Sequence, residues 1–299
     1  MKFVRFGAPG QEKPGAIGGD GSIRDLSSII ADITPETIAS GRLASIGRSY
    51  IIDALPLAPE GARLGPCLAR TGNFIAVGLN YADHATETDA EIPAEPILFN
   101  KAPSCIVGPD DDVLLPPGSE KTDWEVELAF VIGKRAVFVS EEDAMDHVAG
   151  YCICNDVSER AYQLERGGQW VKGKCFPTFG PLGPWLVTPD EVPDIQNVRL
   201  WLEVNGERVQ DASTRTMIFS IKHLVSYISR FMIMEPGDVV TTGTPPGVGL
   251  GMKPPRYLKA GDTMRLGIDW LGVQEQRVLT WDEAGETASA SRRLQTQAA

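Results

Sequence analysis

The chain has 299 residues, enough for roughly two domains and for a core that buries about three quarters of the surface an unfolded chain exposes, so no staple is required to fold it. Its 28 Lys and Arg stand against 40 Asp and Glu, a formal net charge of −12 that repels polyanions and excludes nucleic acid as a partner. No apolar run approaches the ~18 to 20 residues of a membrane span, and the opening MKFVRFGAPGQEKPG has no apolar stretch behind its lysine, so a cytoplasmic protein without a secretion signal is expected.

In chain order, Lys2 to Phe6 reads as a strand, glycine turns run through Gly21, and helical stretches are predicted near Leu26 to Ile30 and after Thr34. Residues 55–66, LPLAPEGARLGP, are rich in proline and glycine and read as a connector. They divide a small N-terminal domain, 1–67, from a larger one, 68–286, with a polar tail at 287–299 that is expected to be disordered. Strands are predicted at 74–77, 97–100, 124–132, 151–157, 198–204, 238–242, 263–268 and 274–280. Asn205-Gly206 marks a two-residue hairpin turn, because both positions favour positive φ. Helices are predicted at 140–148, started by a Ser140/Asp143 capping pair, and at 220–232. Strands and helices do not alternate, so a β-rich α+β fold is favoured over a doubly wound sheet.

The five cysteines (Cys67, Cys105, Cys152, Cys154, Cys175) have no zinc-like spacing and read as free thiols in a reducing compartment. With three histidines in the whole chain, a metal site would draw on carboxylates. In Trp124-Glu125-Val126-Glu127-Leu128-Ala129, the two-residue period puts Glu125 and Glu127 on one face of a strand whose other residues are apolar. Paired carboxylates in a buried space need a cation; at an exposed strand end they need nothing. Asp156 ends a second apolar strand, where it either joins those acids or caps the following helix. His84 and Glu87 are three residues apart on a helical turn, an orienting carboxylate with a base for water or a surface pair. Lys174 lies in a turn-dense stretch, 172–184, and Thr244 in a hydroxyl- and glycine-rich loop that lacks the ending of a P-loop.

These pieces fall in the order G-L-N-Y-x-x-H-x-x-E, E-x-E, N-D-V-S-x-R, K-x-F-x-x-F-G-P-x-G-P and T-G-T-P-x-G-V-G, and over residues 70–282 the chain resembles the fumarylacetoacetate hydrolase family. The resemblance implies a β-roll catalytic domain, usually a homodimer, that binds Mg²⁺ or Mn²⁺ through Glu125, Glu127 and Asp156. It implies a water-activating dyad of His84 and Glu87 on a lid at about 80–96, with Lys174 stabilising an enolate and Gln163 and Thr244 contacting substrate. One departure is Pro177, where many relatives carry aspartate. The opening residues look most similar to bacterial hydrolases of 2,4-diketo-3-deoxy sugar acids of the L-rhamnonate or L-fuconate type. That subgroup implies cleavage of the C3–C4 bond of a 2,4-dioxo acid to pyruvate and a hydroxy acid such as lactate. Oxaloacetate decarboxylation or 2-hydroxyhepta-2,4-diene-1,7-dioate isomerisation through the same enolate, or non-catalytic binding of a 2-oxo acid, are the rival expectations.

Overall fold

A computed structural model describes residues 1–49, 51–87 and 91–284. The expected tail and positions 88–90 of the expected lid fall outside the described residues. Among the described residues no helix is long and apolar enough to cross a membrane.

The fold is α+β and strand-rich. One large sheet runs, edge to edge, through Ile23–Asp25, Lys13–Ile17, Lys2–Phe6, Gly180–Val187, Val148–Asn155, Val126–Ile132, Val239–Thr241, Phe74–Gly78 and Ile97–Lys101. A short strand, Ile106–Val107, also pairs with Gly180–Val187; that pairing and the one of Val239–Thr241 with Phe74–Gly78 are parallel, and the rest are antiparallel. A second sheet takes the order Glu207–Ser213, Arg199–Val204, Thr263–Ile268, Gly272–Thr280 and Val113–Leu115. Its first hairpin turns at Asn205 and Gly206 with φ of 52° and 80°, the geometry their sequence predicts. The sheets share one apolar core that includes Leu128, Phe130, Leu200, Leu202, Met264 and Leu266. Every residue of Val126–Ile132 is buried, so both of its faces are packed, which is why the segment reads as an unbroken apolar run.

The strands of residues 2–25 extend the same large sheet, through Lys2 opposite Val187 and Phe3 opposite Leu186. Three local expectations differ from the structure. Residues 26–30 form a single turn closed on the Leu26 carbonyl, since the chain must then place Asp32 against Arg5 at 2.8 Å. The Ser140/Asp143 bonds form, but only a 3-10 turn at Ala144–His147 follows, because Val148 already enters the sheet. The turn-dense stretch after Lys174 includes a buried central strand, Gly180–Val187; its prolines concealed it, and register shifts along the pairing with Val148–Asn155 accommodate them.

Candidate active site

Register builds the centre of the site. Val126 lies opposite Asn155 and Glu127 opposite Cys154, so one step outward brings Glu125 opposite Asp156, where the Asp156 N–H donates to the Glu125 carbonyl at 2.9 Å. Opposed residues share a face, and residues two apart share it again. Glu125, Glu127 and Asp156 therefore converge, one carboxylate oxygen from each within 4.8 Å of the others, all three buried.

Three cations meet these acids, and two of them carried no role in the sequence. Lys174 Nζ bridges Glu125 Oε2 at 2.7 Å and Asp156 Oδ2 at 2.8 Å. Lys101 Nζ lies 2.6 Å from Asp156 Oδ1, close in charge but not aligned as a hydrogen bond, and donates instead to the Lys174 carbonyl. Arg160 reaches Asp123 Oδ2 through Nε at 2.8 Å and Glu125 Oε1 through Nη1 at 2.7 Å, leaving its buried Nη2 without a partner. Arg160 stands in the N-D-V-S-x-R motif four residues after Asp156, one helical turn's spacing and the available clue. Lys101 ends the strand Ile97–Lys101, and tertiary packing buries it.

The charges do not balance locally. Four carboxyl groups, Asp123, Glu125, Glu127 and Asp156, face Lys101, Lys174 and Arg160, and the shortfall falls on Glu127. Burial opposes ionisation of Glu125, but Lys174 and then Arg160 outweigh it and hold its carboxyl at about 2. Burial pushes the Glu127 carboxyl well above the usual range, and Asp156 and Glu125 push it further; only the Gly243 N–H, 2.9 Å from Oε2, clearly favours the anion beside Lys174. Gly243 has a φ of +90°, and a Cβ there would stand 2.9 Å from Asn80 Cβ, so glycine is required where the backbone approaches the acid. Buried Tyr81 leaves its hydroxyl unpaired, and burial followed by the charge of Glu127 raises its pKa well above the ordinary value.

The Ala82–Glu87 helix carries His84 and Glu87. His84 is buried and its Nδ1 lies 3.2 Å from Glu87 Oε2. Glu87 in turn accepts from the Gly247 N–H, 2.8 Å to Oε1, so the T-G-T-P-x-G-V-G loop holds the pair in place. Asn80 pins the approach to this helix, donating to the Phe219 and Thr242 carbonyls and accepting from the Phe219 N–H at 2.7 Å. Little buried area is expected for this segment from its acidic sequence, yet Tyr81, His84 and Ala85 are all buried.

His84, Glu125, Glu127, Gln163, Lys174 and Thr244 line one cavity of about 170 Å³. Asp156 lies behind the lining and Glu87 behind His84. Gln163 accepts from Arg160 Nη1 at 3.0 Å, and Thr244 donates to the Val126 carbonyl at 3.0 Å while accepting from Gln210. His147 and His223 are elsewhere, the latter 2.8 Å from Glu141.

Residues 73–279 match the family described as fumarylacetoacetate (FAA) hydrolase, C-terminal. The chain belongs to the fumarylacetoacetate hydrolase family. A protein of Burkholderia ambifaria with only a provisional name, hydrolase, is 56% identical over 92% of this chain and 98% of its own. Among solved members of the family, the fumarylacetoacetate hydrolase of Exiguobacterium antarcticum superposes with a TM-score of 0.84 at 36% identity, covering 94% of this chain and 99% of that one. Maleylpyruvate hydrolase of Sphingobium sp. SYK-6, solved with manganese(II) and pyruvate, superposes at 0.77 with 29% identity over 94% and 99% of the two chains.

Proposed function

We propose that this protein is a hydrolase that cleaves the C3–C4 bond of a 2,4-dioxo acid of the acylpyruvate type, using a divalent cation. The observation that carries the reading is the anchoring of His84 by Glu87, and of Glu87 by Gly247, in the cavity that Glu125 and Glu127 line. A base oriented toward water favours hydrolysis over decarboxylation or isomerisation, which need no activated water.

The residues present fit the cation. Three buried carboxylates converge, and one of them, Glu127, has burial and two like charges set against its ionised form. Oxygen-only donors of this kind suit Mg²⁺ or Mn²⁺. Glu125, Glu127 and Asp156 would hold it, and when bound it supplies Lewis-acid polarisation of the substrate's 2-oxo group. The manganese and pyruvate held by the Sphingobium enzyme support both the cation and a pyruvoyl head.

The chain's own residues do the rest. His84 takes a proton from water, and Glu87 fixes the ring and stabilises its charged form. The water oxygen attacks C4, the C3–C4 bond breaks, and its electron pair passes to C3 as the enolate of pyruvate. Lys174, with its ammonium at the head of the cavity, stabilises the enolate charge. Protonation at C3 gives pyruvate, and C4 leaves as a carboxylic acid. Gln163 and Thr244 orient the substrate. The 2,4-diketo-3-deoxy sugar acids expected from the opening residues are one branch of this substrate class, differing in the arm beyond C4. By the family resemblance the working form is a homodimer, which light scattering checks.

Pyruvate release from a panel of 2,4-dioxo acids, with Mg²⁺ or Mn²⁺ and after chelation, tests the reading. Metal-dependent release supports it; no release from any member of the panel overturns it.

A further inference from the structure

The strand that carries the acids loses its neighbour just where the site begins. Val239–Thr241 runs beside Val126–Ile132 with Thr241 opposite Ala129, and the Thr242 N–H still reaches the Leu128 carbonyl at 3.0 Å. At Gly243, with its φ of +90°, the two chains part, and the N–H of that residue goes to the Glu127 side chain. Val126, between the two acids, is left with a backbone N–H and C=O that no strand on that side takes up. Side chains complete the rung. The Val126 N–H donates to Gln210 Oε1 at 3.0 Å, and the Val126 carbonyl accepts from Thr244 Oγ1 at 3.0 Å. Gln210 Nε2 closes the circuit, donating to the Pro245 carbonyl and to Thr244 Oγ1, each at 2.8 Å. Gln210 reaches this gap from Glu207–Ser213 in the second sheet, and only 1% of it is exposed.

These partners fix which way each group points. The Val126 N–H can only donate and the Pro245 carbonyl can only accept, so the Gln210 amide has one orientation, with its NH₂ toward Thr244. Thr244 Oγ1 therefore accepts from Gln210 and commits its own hydrogen to the Val126 carbonyl. What remains to that oxygen is a lone pair, so any bond it makes to a molecule in the cavity that Thr244 lines is one it accepts. We propose that Gln210 is a positioning residue: it fixes the Thr244 hydroxyl as an acceptor toward the cavity, and that acceptor holds the attacking water. This rests on the hydrolase reading above. In that reaction the carboxylate and both oxo groups of a 2,4-dioxo acid are acceptors, whereas water, the second substrate, carries hydrogens on oxygen. One hydrogen of the water points at Thr244 Oγ1 while His84 takes the other, which aims a lone pair of the water oxygen at C4. No covalent bond is made or broken at Thr244. Its loop also holds Glu87 through the Gly247 N–H, and Glu87 holds His84, so the two groups that address the water share one support.

Three measurements on the full chain with Mg²⁺ test this. Neutron diffraction from deuterated crystals grown with pyruvate reads the hydrogens directly. A deuterium between Thr244 Oγ1 and the Val126 carbonyl is expected; one pointing from Thr244 into the cavity overturns the proposal. In calorimetry with pyruvate, Thr244→Val and Gln210→Met should bind within about twofold of the parent, since the head of the substrate has no donor for Thr244, and a loss of about tenfold would place the hydroxyl on that head and overturn it. Turnover of the dioxo acid that the parent cleaves fastest is the third. Thr244→Val and Gln210→Met should each lower kcat by about tenfold or more with KM changed less, and Thr244→Ser should keep a parent-like kcat. The double variant should be no slower than Thr244→Val alone, because Gln210 acts through that oxygen. A parent-like kcat in Gln210→Met, or losses that multiply in the double variant, overturn the proposal. Gly247 is pressed against the Val209 carbonyl with no room for a Cβ, so the loop keeps its seat on Glu207–Ser213 when the Gln210 amide is removed. If diffraction places the hydrogens as expected and no dioxo acid is cleaved, the polarity set by Gln210 stands, and the hydrolase reading falls together with the attacking water.

Discussion

Lys101 Nζ lies 2.6 Å from Asp156 Oδ1, and neither side chain exposes any surface. Burial alone would lower the lysine's pKa, but the charge of Asp156 outweighs it and keeps the ammonium protonated. Asp156 stands between this lysine and Lys174 on its other oxygen, so it is held rigidly from two sides.

Removing one partner of such a pair leaves a buried charge uncompensated, at a cost of about 3 to 5 kcal/mol. Lys101→Met should therefore unfold at lower urea in metal-free buffer, and added Mn²⁺ should restore part of the loss by neutralising the same acids. A parent-like midpoint in the absence of metal would show that the pair is not what holds Asp156.

Glu127→Gln should act in opposite directions on stability and on metal binding. Without a cation it removes the acid that burial, Asp156 and Glu125 all set against ionisation, so the melting temperature should rise. With the acid gone, Mn²⁺ affinity should fall by at least tenfold, as it should for Glu125→Gln and Asp156→Asn. Titration with Mn²⁺ followed by electron paramagnetic resonance checks this; undiminished affinity in all three places the cation elsewhere.

For the dyad, His84→Ala and Glu87→Gln should lower kcat by about 10² to 10⁴-fold with smaller changes in KM, since a positioned base acts in the transition state. Mn²⁺ affinity should survive in both. A parallel loss of Mn²⁺ binding would move these residues into the metal's own ligand set.

Gly251→Ala probes the same dyad without touching its side chains. A Cβ at residue 251 would overlap the Glu87 side chain, which must then move away from Gly247 and His84. We expect kcat to drop by about tenfold with Mn²⁺ affinity unchanged, because orientation is lost while the base remains. Parent-like kcat would mean that Glu87 tolerates displacement and does not orient the ring.

How much of this was readable from residues alone depends on where the partners lie. Glu125, Glu127 and Asp156 were legible because a two-residue period and two apolar strand patterns place them with no tertiary information beyond the pairing. His84 and Glu87 were legible as a turn-spaced pair, though not the Gly247 N–H that anchors it 160 residues away in sequence. Lys101 and Arg160 carried no role because each is ordinary in its own segment; their partners come from distant strands, and only folding buries them. The Gly180–Val187 strand was hidden by glycine and proline, whose usual meaning is overridden by a central position in the sheet.

Gly180–Val187 has one further consequence. It begins six residues after Lys174 and is flanked on one side by Val148–Asn155, which leads into Asp156, and on the other by Lys2–Phe6. A version trimmed to the residues that match the family would strip that outer neighbour and leave a bare row of backbone donors and acceptors along part of the strand. Such an edge recruits other chains, so a minimal catalytic fragment should be sticky, and its lysine would stand just before a strand that had become a template for association.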